Sequence, residues 1–226
     1  MRYLQIVGKN LVGKDPFQVS KIVDSLFFQM KRPSLESGHV ASAIDMALMD
    51  IKGKALGVPV YELIGGKRHD QVRVYANGWC YNMTEPSQYA EAALENVENG
   101  FTCMKLDPFR YYEGGFDWAS QNPDSATRSR WVKVGLDRVK AIREAVGPHV
   151  DIFLEAHGKF DAATALYIAE AFEEIGLFAY EEPIDSTNFE YFKKVSEGTT
   201  IPLASGERLI SRQEFRPFIA QQLASI

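Results

Sequence analysis

The pattern of hydrophobic and polar positions changes about one third of the way along the chain. Within residues 1–70, the stretch DPFQVSKIVDSLFFQM has apolar residues at helical spacing and predicts a helix with Asp15 as N-cap and Pro16 at the first helical position. In SGHVASAIDMALMDIKGKALG, apolar and small residues recur every three or four positions until Gly57 and Pro59 end the run. We therefore expect a mainly helical first domain.

From about residue 71, short β-rich runs alternate with amphipathic helical patterns that end on glycine. The predicted strands are 73–79, 102–108, 150–158, 178–183, 201–207 and 223–226. Alternation of strand and helix is typical of parallel βα units with right-handed crossovers. The sequence therefore predicts an α/β fold with a helical domain at 1–70 and a parallel-stranded domain at 71–226.

Three acids recur at a constant interval in the second domain. Glu155, Glu181 and Glu207 are each 26 residues apart, and each falls near the end of a predicted strand. In a (β/α)8 barrel the carboxyl ends of the strands carry the active site, so the three carboxylates are expected to meet there. An open doubly wound sheet is the alternative architecture, but it offers no comparable reason for three acids in register.

Carboxylates gathered in this way would repel one another unless a cation lay among them. Oxygen ligands without cysteine or paired histidine favour Mg²⁺, with Mn²⁺ as an alternative. The other interpretation is that the three glutamates are separate solvated acids at strand ends. The regular spacing favours a shared metal site.

Two pairs of titratable residues stand two positions apart near strand ends. His157 is expected to share the strand face of Glu155, which makes it a candidate acid or base, although a structural hydrogen bond at the strand end is the alternative. Lys105 is a candidate partner for a substrate carboxylate, and Asp107 for substrate hydroxyls. Alternatively, Lys105 and Asp107 pair with each other at the rim.

Composition favours a soluble globular protein with a small-molecule partner. The chain of 226 residues is 46% hydrophobic and has a formal net charge of -5, which argues against a nucleic-acid partner. Cys80 and Cys103 are its two cysteines, and neither belongs to a metal-binding or disulfide pattern, so a cytoplasmic location is expected. The sequence has no long apolar segment and no signal-peptide pattern, so neither membrane insertion nor secretion is expected.

Several motifs together resemble one known family. They are SAIDMALMDIKGKALGVPVYELIGGK, VYANGW, KLDPF, EAHGKF, YEEP and ASGERLIS, in this order along nearly the whole chain. They resemble the mandelate racemase branch of the enolase superfamily, and more narrowly its gluconate and galactonate dehydratases. The resemblance implies a TIM-type (β/α)7β barrel, of which six strands are present, preceded by the helical part of an α+β capping domain.

The resemblance also implies a metal site and a reaction. Mg²⁺ would be held by Glu155, Glu181 and Glu207, and His157 would act as general acid on the departing 3-hydroxyl of an aldonate. The expected reaction is β-elimination of water through an enediolate to a 2-keto-3-deoxy acid. The first metal ligand is aspartate in much of the superfamily, so Glu155 is a departure.

Lys105, Asp107 and Arg208 are the expected substrate-binding residues. Racemases of this branch commonly carry K-x-K on the second strand, and its second lysine is replaced here by Asp107. This replacement argues against a racemase or epimerase, which stays an alternative. The aromatic segment 109–131 is expected either to form part of the pocket or to make contacts in a homo-oligomer.

The chain also resembles an internal piece of such a dehydratase. The first strands of the capping domain and the last two barrel strands of the family have no counterpart, and the base that removes the C2 proton is expected beyond residue 226. A truncated, catalytically impaired metal-binding fragment is therefore the second functional interpretation.

Overall fold

The computed structural model describes residues 2–29, 34–109 and 125–226, and the chain divides into two compact units. The first unit contains Met1–Val72 with Ile210–Arg212, and the second contains Arg73–Leu209 with Gln213–Ile226. Most of the aromatic segment at 109–131, from 110 to 124, lies outside the described residues. No helix in the described part of the chain has the length and apolar character needed to span a membrane.

The described elements of the first unit are helical. They are α1 (Arg2–Leu11), α2 (Val19–Gln29), α3 (Leu35–Leu56) and the short α4 (Val60–Leu63). Buried side chains of α1, α2 and α3 share one core, formed by Val7, Ile22, Leu26, Ala41, Ile44 and Leu48. Apolar residues at helical spacing therefore build this unit, as the sequence pattern indicates.

The predicted start of the second helix was wrong. Asp15 is not its N-cap, because α2 begins at Val19. The Asp15 carboxylate instead accepts a hydrogen bond from the backbone N–H of Phe17 at 2.9 Å, which closes a local turn before the helix. The predicted end of α3 is confirmed, since Gly57 adopts a left-handed conformation with φ of 70° and donates to carbonyls of the last turn.

The second unit alternates helices and parallel strands. Its elements are α5 (Pro86–Glu98), β1 (Cys103–Leu106), α6 (Ser125–Val146), β2 (Asp151–Glu155), α7 (Ala162–Phe172), a 3₁₀ turn (Glu173–Ile175), β3 (Ala179–Glu181), α8 (Phe189–Glu197), β4 (Leu203–Ala204) and α9 (Arg212–Gln221). The four strands found among the described residues form a parallel sheet in the order β1-β2-β3-β4. The predicted parallel βα organisation is therefore confirmed.

The two faces of this sheet differ because side chains alternate along each strand. Strand residues of one face are buried in one large core together with apolar residues from the helices; they include Met104, Leu106, Ile152, Leu154, Tyr180 and Leu203. The other face carries a small separate apolar cluster of Phe153, Ala179 and Ala204. Charged side chains of the strand ends lie on this second face.

Two of the six predicted strands are not regular strands. In 73–79, pairing is limited to a bridge between Ala76 and Met104, supported by two backbone hydrogen bonds. The segment 223–226 lies beside β4, where Ser225 N–H donates to the Leu203 carbonyl at 2.8 Å. Both segments therefore run along sheet edges, but each makes too few backbone hydrogen bonds with its neighbour to form a regular strand.

A buried arginine fixes the chain on the carboxyl side of β1. Arg138 of α6 is 2% exposed, and its guanidinium donates to the Pro108 carbonyl at 2.6 Å and to the Thr84 carbonyl at 3.1 Å. The Tyr89 ring lies 5.1 Å from its central carbon. Pro108 lies two residues after the end of β1, next to Asp107, so this contact positions a strand end that carries charged side chains.

We expect Arg138→Met to lower the free energy of unfolding by about 2–4 kcal/mol, because the buried Pro108 carbonyl and the Thr84 carbonyl would lose their guanidinium donors. Arg130→Met is the matched control, since Arg130 is exposed on the same helix, and should change stability by less than about 0.5 kcal/mol. Urea unfolding of both variants measures the difference. Equal stabilities would show that the buried guanidinium does not hold this strand end.

Candidate active site

The register between β2 and β3 places two glutamates side by side. Glu155 and Glu181 are the last residues of their strands and are aligned partners across the parallel ladder. Because aligned residues of neighbouring strands point to the same face, both carboxylates lie on the face opposite the large core. The sequence prediction that these two acids meet at the carboxyl ends of adjacent strands agrees with this register.

Lys105 lies between the two carboxylates. Its Nζ atom is 3.1 Å from Glu155 Oε2 and 2.8 Å from Glu181 Oε2. Burial disfavours the charge of Lys105, but hydrogen bonding to Glu181 and the charges of both acids outweigh this effect and raise its pKa. Burial, followed by the charge of Glu181, raises the pKa of Glu155. The ammonium group thus compensates two acids that would otherwise repel each other.

His157 lies two residues beyond the end of β2. The reason given by the sequence, that His157 continues the strand alternation of Glu155, was wrong, because the strand has ended and His157 has a left-handed backbone with φ of 53°. Its backbone N–H donates to Glu155 Oε1 at 2.7 Å, and its ring Nδ1 lies 2.9 Å from Asp107 Oδ2. The turn therefore brings the imidazole to Asp107 at the end of β1.

Asp107 is buried and has three described donors around its carboxylate. Besides the His157 ring, Lys159 Nζ contacts Oδ2, and the backbone N–H of Phe109 donates to Oδ1 at 3.1 Å. Burial alone would raise the pKa of Asp107, but hydrogen bonding to His157 and the charge of Lys159 lower it below its ordinary value. Asp107 and Lys105 therefore do not pair with each other as the alternative interpretation held.

A second buried carboxylate joins the turns after β3 and β4. Glu182 is 0% exposed, has φ of 44°, and accepts hydrogen bonds from Ser205 Oγ at 2.7 Å and Arg208 Nε at 3.1 Å. A terminal nitrogen of Arg208 donates to the His157 carbonyl at 2.6 Å. Arg208, predicted as a substrate-binding residue, thus contacts Glu182 and the His157 turn.

Glu207 does not occupy the same register position in the sheet as Glu155 and Glu181, the other two predicted metal ligands. Ala204, not Glu207, is the aligned partner of Glu181. Equal spacing in sequence does not give equal phase because β4 ends at Ala204 and the chain turns before Glu207. The Glu207 side chain is 46% exposed and has an oxygen 3.7 Å from Arg208.

Most of the predicted site residues nevertheless line one cavity of about 180 Å³. Its walls include Lys105, Asp107, Glu155, His157 and Glu207, together with Asn77, Gly78, Cys80 and Tyr81 from the 77–81 segment. Glu181 is linked to these walls through Lys105. The described residues contain no group of three His, Cys, Asp or Glu side chains gathered closely enough to hold a metal ion, so the three-ligand site stays a prediction.

The sequence-based interpretation assigned no role to Lys159, Glu182 or the 77–81 segment. Lys159 follows His157 by two residues, a spacing that matched the other charged pairs and could have drawn attention to it. Glu182 adjoins Glu181 in the YEEP motif, but nothing in the sequence indicates that its carboxylate turns towards Arg208. These contacts join separate loops and have no local signal.

Comparison with known proteins now adds to this geometry. A family model described as enolase C-terminal domain-like matches residues 88–226. A model of the mandelate racemase / muconate lactonizing enzyme N-terminal domain matches residues 2–65. The chain belongs to the enolase superfamily, in its mandelate racemase branch. Membership explains the order of elements, with helices of an N-terminal domain before the parallel sheet.

Two curated relatives and one solved structure illustrate the similarity. D-gluconate dehydratase of Thermoproteus tenax is 38% identical over 97% of this chain and 42% of its own length. D-gluconate/D-galactonate dehydratase of Picrophilus torridus is 33% identical over 85% of this chain and 46% of its own length. The crystal structure of a putative dehydratase from Zymomonas mobilis is 38% identical, with a TM-score of 0.89 over 98% of this chain and 59% of that one.

These enolase superfamily relatives confirm the predicted fold class, a partial α/β barrel with parallel strands. They also confirm the predicted resemblance to sugar-acid dehydratases. The chain spans about half the length of the curated relatives it matches.

We expect Glu182→Gln to lower the free energy of unfolding by about 1–3 kcal/mol, because it removes the nearer and buried one of the two carboxylates beside Arg208. A double-mutant cycle with Arg208→Met should give a coupling of about 1–3 kcal/mol. The control cycle uses Arg73 and Asp151, a more exposed ion pair at the other end of β2, whose coupling should stay below about 1 kcal/mol. Additive effects of the Glu182 and Arg208 variants would contradict the contact.

The lowered pKa of Asp107 gives a pH dependence with a defined sign. An acid whose pKa is lower in the folded state stabilises the fold above its unfolded value, here 3.8, and this contribution is lost as pH falls below that value. The stability difference between the protein and Asp107→Asn should therefore be constant from pH 7 to about 5 and shrink below pH 3.8. Urea unfolding across this range tests the trend, and a difference that grew at low pH would contradict it.

Proposed function

We propose that this protein is a Mg²⁺-dependent sugar-acid dehydratase that removes water from an aldonate such as gluconate or galactonate. The observation that carries the proposal is a cavity lined by Glu155, by Lys105, which also binds Glu181, and by the His157 imidazole, which is hydrogen-bonded to Asp107. The names of the relatives support the choice of substrate class. The expected homo-oligomer stays a prediction.

The donor atoms at the cavity fit a hard divalent cation. Glu155 and Glu181 offer carboxylate oxygens from aligned positions. Burial and then the charge of Glu181 raise the pKa of Glu155, and a cation would offset that like charge. These two residues would hold Mg²⁺, with Glu207 of the same cavity as the third ligand. The chemistry supplied by the bound ion is positive charge beside the substrate carboxylate, which favours loss of the C2 proton.

The protein's own residues then account for binding and for the leaving group. Lys105 would pair with the substrate carboxylate once its two acids are compensated by the cation. His157 would donate a proton to the 3-hydroxyl as the C3–O bond breaks, so that water leaves and the resulting enol becomes a 2-keto-3-deoxy acid. None of the described cavity residues is assigned to removal of the C2 proton.

We expect His157→Asn to abolish formation of the 2-keto-3-deoxy acid while Mg²⁺ binding survives. Asparagine suits this position because it tolerates the left-handed backbone of His157 better than most residues. Glu181→Gln should weaken both turnover and Mg²⁺ binding, because it removes one anionic ligand. Glu197→Gln, at an exposed position of α8, is the control and should change neither.

Turnover is measured on a panel of aldonates with and without Mg²⁺, and metal binding by calorimetry. An intact mass of the purified protein assigns any activity to a defined polypeptide. Unchanged turnover in His157→Asn would remove the imidazole from the mechanism. Failure of the unmodified protein to turn over any aldonate would contradict the proposed function for this chain.

A further inference from the structure

Asp107 differs from a substrate-binding acid in how its oxygens are used. One oxygen accepts the backbone N–H of Phe109, and the other contacts both the His157 ring and Lys159. The Asp107 and Lys159 side chains are 3% and 2% exposed, so this ion pair is largely removed from solvent, whereas the His157 side chain is 28% exposed. Both oxygens of the Asp107 carboxylate therefore contact groups of the protein, and the carboxylate lies next to Nδ1 of the His157 ring.

We propose that Asp107, with Lys159 as its counter-ion, is a positioning residue that fixes the His157 ring with Nδ1 as hydrogen-bond donor and assigns proton transfer to Nε2. This inference rests on the proposed function, in which His157 is the general acid. It replaces the substrate-binding role expected for Asp107 and gives Lys159 a role.

The direction of the hydrogen bond follows from the chemistry of the partners. An ionised carboxylate only accepts hydrogen bonds, so Nδ1 at 2.9 Å from Asp107 must carry the proton. Lys159 keeps the carboxylate ionised by placing a positive charge against the same oxygen. One ring nitrogen is thereby set as a donor, and the tautomer of the neutral ring is determined.

The main chain of His157 is held as firmly as its ring. Its N–H donates to Glu155, and its carbonyl accepts from Arg208. The next residue, Gly158, has φ of 65°, and an added Cβ there would lie 3.2 Å from backbone atoms of Asp185. With the backbone fixed on both sides, the bond to Asp107 leaves the imidazole little freedom to rotate.

The charge balance explains why an acid at position 107 suits a histidine at 157. A lysine at 107 would face Lys159, a buried cation with 2% of its side chain exposed, and the two like charges would repel. Aspartate instead joins Lys159 and His157 through one oxygen atom. Asp107 of the KLDPF motif thus contacts both His157 and Lys159 of the EAHGKF motif.

The test reads the tautomer and the activity separately. The chain has four histidines, so ¹⁵N-labelled imidazole resonances can be assigned by the loss of one signal in His157→Asn. We expect His157 to show the Nδ1–H tautomer in its neutral form. In Asp107→Asn the amide can donate to Nδ1, so the signal should shift to the Nε2–H tautomer, and kcat should fall by about 10²- to 10⁴-fold with KM changed only a few-fold.

Because Asp107→Asn removes the carboxylate that neutralises the buried Lys159, a second variant guards against misfolding. The double variant Asp107→Asn/Lys159→Met removes both buried charges and should fold, yet show the same change of tautomer and the same loss of kcat. Asp151→Asn is the matched control: Asp151 also pairs with a cation but begins β2 rather than facing the site. It should leave the tautomer and kcat unchanged.

The outcomes separate this inference from the proposed function. If the unmodified protein turns over aldonates and both Asp107 variants keep the Nδ1–H tautomer and full kcat, the positioning role is overturned while the dehydratase assignment stands. If no aldonate reacts but the tautomer changes as expected, the geometry of Asp107 and His157 holds and the proposed reaction fails. A folded double variant that loses kcat without a change of tautomer would also overturn the positioning role.

Discussion

The site depends on two like charges being held next to each other at the end of a parallel ladder. Register aligns Glu155 with Glu181, and their side chains are only 2% and 16% exposed to solvent. Coulomb repulsion in such surroundings must be offset by positive charge. Lys105, from the neighbouring strand β1, supplies that charge in this structure. The cluster of two acids and one lysine is therefore a concentrated charge beside the cavity.

The charges of the site are arranged in separate compensated groups that share one turn. Lys105 forms ion pairs with Glu155 and Glu181. Lys159 forms an ion pair with Asp107, and Arg208 forms one with Glu182. The turn at His157 connects the groups, because its N–H, ring and carbonyl bind to Glu155, Asp107 and Arg208 respectively. Each group restricts the turn from a different direction, so the imidazole is positioned before any ligand arrives.

The sequence predicts the parts of this site that follow from periodicity. Strand and helix alternation gives the parallel sheet, and the ends of β2 and β3 carry the two acids as expected. The expectation that Glu207 occupies the same register position as Glu155 and Glu181 is wrong, because β4 has only two residues and ends at Ala204. Prediction also misses the partners of Asp107 and Glu182, since hydrogen bonds between loops of different strands leave no local pattern. Sequence periodicity therefore does not predict where side chains point once a strand has ended.

The Glu182 carboxylate makes the His157 turn depend on the fourth strand. Its own segment follows β3, but its donors Ser205, Gly206 and Arg208 follow β4, and Arg208 reaches back to the turn after β2. A chain in which β4 has not yet docked would expose an ionised glutamate at φ of 44° without its partners. The full set of contacts at the His157 turn therefore requires β4 and the turn after it to be in place. The geometry of the His157 ring thus depends on a sheet assembled through its fourth strand.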